Sequence, residues 1–150
     1  MKNILITGLL IAVVGMAFGA VTPASAEAMT VSVAYLSDGE EAGLIFMREE
    51  EKLAHDVYVT LYAQWGLPLF QNIADSEATH TAAIKTLLDR YGIADPAEGN
   101  DVGEFTNPDL QKLYDQLVEQ GSRSLADALK VGAAIEEIDI LDLQTRLAQT

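Results

Sequence analysis

The chain has 150 residues, with 23 Asp or Glu against 9 Lys or Arg, no cysteine and 49% hydrophobic side chains. That is the length of one domain. A net charge of −14 leaves no basic stripe to neutralise nucleic-acid phosphates or to dock on an anionic membrane surface. Without cysteine, disulfides, thiol nucleophiles and thiolate metal sites are excluded, so any metal must be held by carboxylate and imidazole.

Lys2, the apolar run from Ile4 to Val14 and the small-residue site Ala24-Ser25-Ala26 form a secretory signal pattern over residues 1–26. The apolar run is too short, and too broken by glycine and Pro23, to serve as a membrane anchor. The expected location is therefore periplasmic or extracellular, with no membrane insertion after cleavage. Residues 27–37 alternate weakly and read as an extended arm or short edge strand, followed by one helical domain over 38–150.

Within that domain the punctuation is clear. Ser37 and Glu40 have capping-box spacing, predicting a first helix from Asp38 to Trp65 that stops at Gly66. Pro68 suits the first position of a second helix, which runs to Tyr91 with Gly92 as its cap. A loop over 94–106 leads to the cap pair Asn107-Pro108 and a shorter helix ended by Gly121. Ser122 or Ser124 then caps a last helix reaching roughly Ala148. Nothing after residue 37 reads as a strand, so the expected class is all-α.

On helical wheels the first helix has Met47, Ala54, Val57, Tyr58, Leu61 and Trp65 on one face. Glu50 and Glu51 flank its axis; Glu49, Arg48 and Lys52 point outward, and His55 lies off the stripe. The second helix carries Phe70, Ile73, Ile84, Leu87, Leu88 and Tyr91, and the same spacing places Glu77 and His80 on the buried face. In the last helix the stripe is Leu125, Leu129, Gly132, Ile140, Leu143 and Leu147, with Glu136 inside it and Asp139 at its edge.

Inward carboxylates on three helices cost several kcal/mol unless paired or bound to a cation, and few basic residues are placed to pair them. A metal is the economical partner. Glu77 and His80, at i and i+3, can share one ion. Aligning the first two helices as a hairpin offsets Glu51 from Glu77 by about 7 Å, a gap that glutamate side chains can bridge. The residue pattern leaves Glu50 open beside Glu51, and Glu137 beside Glu136. Glu40, Glu41, Glu98, Asp101 and Glu104 form a solvated acidic surface without EF-hand spacing.

The segment Arg48 to Tyr58 resembles the first helix of ferritin-like proteins. In their rubrerythrin-type members a ligand glutamate is followed by alanine three residues on and tyrosine seven on, as at Glu51, Ala54 and Tyr58. Ser76 to His80 resembles the second helix with its E-x-x-H. The stretches 47–96 and 107–143 are similar to a bacterial and archaeal domain, DUF2202, placed in that superfamily. The resemblance implies an up-down four-helix bundle with one or two iron or manganese ions, the ligands falling on Glu51, Glu77, His80 and Glu136. It also implies Fe(II) oxidation or peroxide reduction as the chemistry.

The departure is the missing second E-x-x-H: Glu136 to Asp139 has the carboxylate but no histidine. The fourth core helix is thus expected to be missing or truncated. That would expose an apolar groove and favour a homodimer. The rival of a different class is a non-enzymatic secreted helical module or metal buffer.

Overall fold

A computed structural model describes residues 36–147, with side chains to residue 145; the signal pattern over 1–26, most of the arm and the last turn toward Ala148 lie outside the described residues. The described chain folds into four helices: α1 (Asp38–Trp65), α2 (Pro68–Tyr91), α3 (Pro108–Gly121) and α4 (Leu125–Leu147), with no strand among the described residues. No described helix is long and apolar enough to cross a membrane.

The helix ends follow local chemistry. Ser37 Oγ accepts from the Glu40 amide while Glu40 Oε2 accepts from the Ser37 amide at 2.8 Å, closing the capping box. Gly66 turns the chain at φ 62°, a left-handed conformation that costs an L side chain strain, and Pro68 starts α2 immediately afterwards. Asn107 Oδ1 accepts from the amides of Asp109 and Leu110 at the start of α3. At the start of α4, Ser124 Oγ accepts from the Asp127 amide at 3.0 Å, which settles the choice between the two serines.

The long helix α1 is the hub, touching α2, α3 and α4, and α3 also packs on α4. Its Ala54, Val57, Tyr58 and Leu61 form the centre of the core, against Phe70 and Ala74 of α2 and Leu117 of α3. Gly121 lets the end of α3 press on α1: a Cβ there would lie 2.6 Å from Leu61 Cδ2. Among the described residues α2 makes no close backbone approach to α3 or α4. The bundle is therefore open along the flank between α2 and α4.

Several side chains depart from the helical-wheel reading. The buried face of α4 is Ala128, Val131, Gly132 and Ile135, of which the expected stripe contained only Gly132. Leu125, Leu129, Ile140 and Leu143 are 40–56% exposed. Small residues win because α4 must approach the Tyr58 ring, which a Cβ on Gly132 would meet at 3.3 Å. Glu49, expected in solvent, is buried and accepts from the Asn107 amide at 3.1 Å, beside the Thr106 amide. Its negative charge sits at the N-terminus of α3, where the helix dipole favours it.

Lys52 and Arg48 also turn inward. Lys52 is buried, paired with Asp56, and donates to the Asp101 carbonyl at 2.8 Å beneath the ring of Phe105. Arg48 pairs with Asp95 at 3.1 Å and reaches Thr81. The loop 93–107 covers this side of α1 and buries residues that an isolated helix would leave in water.

Candidate metal centre

The open flank holds a cleft of about 240 Å³ whose walls are strongly acidic. Glu50 and Glu51 come from α1, Glu77 and His80 from α2, and Glu136 and Asp139 from α4. Met47, Ile140 and Leu143 supply its apolar margin. No lysine or arginine is among the residues that line it; Arg48 and Lys52 are turned toward Asp95 and Asp56 instead.

His80 Nδ1 lies 2.9 Å from Glu77 Oε2 and 3.4 Å from Glu51 Oε2. One ligand atom from each of Glu51, Glu77 and His80 falls within 4.8 Å of the other two. The expected hairpin thus brings these three together, with Glu51 and Glu50 both on the cleft. Glu77 is 5% exposed. The His80 side chain is 54% exposed, contrary to its expected burial, because it stands on the side of α2 that no helix covers.

Glu136 joins the same cleft. Its Oε1 accepts from the Tyr58 hydroxyl at 2.8 Å, and that hydroxyl also reaches the Gly132 carbonyl at 3.1 Å. Burial and the Glu136 carboxylate push the Tyr58 phenol well above its usual pKa, so it stays a neutral donor. Glu136 and Glu137 are both exposed, contrary to the expected place of Glu136 inside a buried stripe, but only Glu136 lines the cleft. Asp139, placed at the edge of its helical stripe by sequence, lines the cleft as fully as Glu136. Its place at the edge of the stripe kept it out of the expected ligand set, although Ile140 and Leu143 of that stripe line the same cleft. His55 is off the site, bonded to Asp56 at 2.8 Å.

The electrostatics show crowding. Burial raises the Glu51 pKa, and Glu77 adds to this while His80 pulls the other way. Two carboxylates this close repel one another, and a cation between them would relieve that repulsion. Burial, then Glu51, Glu77 and Glu136, push Asp139 up to about 7 from the ordinary 3.8. Burial alone would lower His80, but Glu77 and Glu51 outweigh it and raise the imidazole.

These shifts share a sign. Asp139 weakens the fold when ionised, a penalty absent below about pH 4 and complete only above its raised value of about 7, and Glu51, also raised, acts in the same direction. His80 strengthens the fold when protonated, a contribution present below 6.5 and lost above its raised pKa. Metal-free protein should therefore melt higher at pH 5 than at pH 8. Thermal unfolding after chelation and desalting checks this, and an equal or lower melting point at pH 5 would contradict it.

Fold and site define an all-helical bundle with a carboxylate-rich cleft open on one flank. The profile of the "Uncharacterized protein domain (DUF2202)" matches residues 40–150, and the chain belongs to that family. It is similar to uncharacterized protein MJ0754 of Methanocaldococcus jannaschii, at 54% identity over 115 residues, 77% of this chain and 62% of that protein. The crystal structure of hypothetical protein MJ0754 superposes with a TM-score of 0.76, covering 77% of this chain and 66% of that one. The chain thus spans a little under two thirds of this relative's length.

Proposed function

We propose that this is an exported protein of the ferritin-like class that binds iron or manganese through Glu51, Glu77 and His80, with Glu136 from the facing helix. The observation that carries the reading is the convergence of one ligand atom each from Glu51, Glu77 and His80 within 4.8 Å, in a cleft that no lysine or arginine lines. The donor set fits the metal: oxygen donors with one imidazole suit iron(II) and manganese(II) better than copper. Export rests on the signal pattern over residues 1–26.

A bound iron would supply redox chemistry toward dioxygen or peroxide. The chain's own residues would do the rest. Glu51 and Glu77 would hold the cation with His80, and Tyr58 holds Glu136 by a hydrogen bond that fixes one carboxylate oxygen. The half-exposed His80 faces the open flank, by which ions and small oxidants can enter. The dense negative charge draws in cations and repels anions.

The test is metal content by mass spectrometry after anaerobic incubation with Fe(II) or Mn(II) and desalting. Wild type should retain at least one ion per chain, and Glu77→Ala and His80→Ala should retain at least tenfold less. Wild type emerging empty would remove the reading and leave a helical interaction module. Retention without Fe(II) oxidation or peroxide turnover would make the protein a metal carrier.

A further inference from the structure

We infer that Met47 is a modification site: its thioether sulfur takes up an oxygen atom from peroxide that enters the cleft and becomes methionine sulfoxide. This rests on the metal-binding reading above and adds a target for the oxidant to it. Met47 lines the same cleft as Glu51, Glu77 and His80 and is half-buried there. It precedes Glu50 and Glu51 on α1 at helical spacing, so all three side chains leave one face of the helix a turn apart. Helical side chains lean toward the N-terminus, which tips Glu51 toward Met47. The margin residues opposite, Ile140 and Leu143 of α4, are saturated hydrocarbon.

Transfer of an oxygen atom needs a soft, accessible electron pair. Met47 is the only methionine among the described residues, in a chain without cysteine. The other side chains of the site compete poorly. Carboxylates and aliphatic groups offer no such pair. Tyr58 is buried and keeps its proton against Glu136, and a phenol gives up electrons readily only as phenolate. In the reaction the sulfur attacks one oxygen of hydrogen peroxide, an S–O bond forms and the O–O bond breaks. The proton on the transferred oxygen passes to the departing hydroxide, which leaves as water. Sulfur loses two electrons and peroxide gains them, so no further reactant is required. A cation at Glu51, Glu77 and His80 supplies Lewis acidity that weakens the O–O bond. Enzymes that reduce methionine sulfoxide restore the thioether, so the modification can cycle.

Peptide mass spectrometry of anaerobic, Fe(II)-loaded protein after a small molar excess of hydrogen peroxide tests this. N-acetylmethionine in the same solution reports freely diffusing oxidant. Met47 should gain its oxygen at least about tenfold faster than in metal-free protein, as proximity to the bound cation requires, while the reference reacts equally in both. Glu77→Ala, which keeps Met47 but lacks a carboxylate ligand, should react at the metal-free rate. Met47→Leu, close in volume, should retain as much iron as wild type. Iron retained by wild type with Met47 still a thioether, or oxidised no faster than the reference, would overturn the inference while leaving the metal site standing. Loss of iron from a folded Met47→Leu would overturn it too, by making the sulfur a ligand. Wild type that retains no iron would overturn both readings.

Discussion

Manganese(II) or iron(II), at about a hundred times its dissociation constant, is expected to raise the stability of the metal-free protein by about 2.7 kcal/mol. For a domain of this size that corresponds to a melting point roughly 10 °C higher. The effect should be large because the ion does two things at once. It binds only the folded chain, in which α1, α2 and α4 bring their carboxylates together. It also supplies the positive charge that Glu51 and Asp139 lack, both raised first by burial and then by neighbouring carboxylates. A chelator should return the melting point to its starting value. Glu77→Gln keeps the side-chain volume and removes one charge. It should abolish the metal-dependent increment and leave the metal-free protein at least as stable as wild type. Differential scanning calorimetry with and without metal reads both effects, and a wild-type melting point indifferent to metal would contradict them.

Asp56→Ala should be the most damaging single change on the other side of α1, costing about 3–5 kcal/mol. Asp56 is 2% exposed and accepts from Lys52, from the Gly103 amide at 2.9 Å and from His55. Removing it strands the buried Lys52 ammonium and unties the loop that covers it. A loss of that size is a large part of the ~5–15 kcal/mol that holds a typical domain together. The double change Lys52→Met with Asp56→Leu should recover part of the loss by removing the stranded charge. It cannot recover all, because the Gly103 amide stays without its acceptor. Urea unfolding of the two variants measures this, and a single variant within 1 kcal/mol of wild type would contradict it. Burial alone would raise the Asp56 pKa, but His55, Lys52 and Gly103 together hold it below its usual value. Its contribution is therefore present above the ordinary carboxylate range and lost as pH falls through the lowered value.

The helix boundaries were legible because their signals are local. Ser37 with Glu40, Gly66 with Pro68, Gly92, and Asn107 with Pro108 each act over a few residues, and each does in the fold what its chemistry suggests. Side-chain placement was legible only where a helix has one clear apolar face. On α2 that face carried Glu77 correctly into the cleft. On α4 leucine and isoleucine occur all round, and the choice of buried face was made by small residues fitting against Tyr58, a contact between helices that no single-helix wheel contains.

Glu49 and Lys52 were misplaced for a related reason. Charge alone suggests solvent, but the loop over 93–107 brings the backbone amides and the carbonyl that they bond, and that loop has no periodicity from which its path could be read. The same blindness hid Asp139 and overstated the burial of His80. Both depend on the open flank between α2 and α4, which is a property of the assembled bundle. The candidate ligands on α1 and α2 were accessible to sequence because the hairpin joining them is short and its register is fixed by Gly66 and Pro68.

The central claim is that this cleft holds a metal ion, and anomalous X-ray scattering from crystals grown with manganese(II) tests it most directly. The account predicts a peak between Glu51, Glu77 and His80, with ligand distances of about 2.0–2.2 Å, those of carboxylate oxygen and imidazole on a divalent first-row ion. An empty cleft in crystals whose exposed acidic loop over 98–104 carries manganese would contradict it.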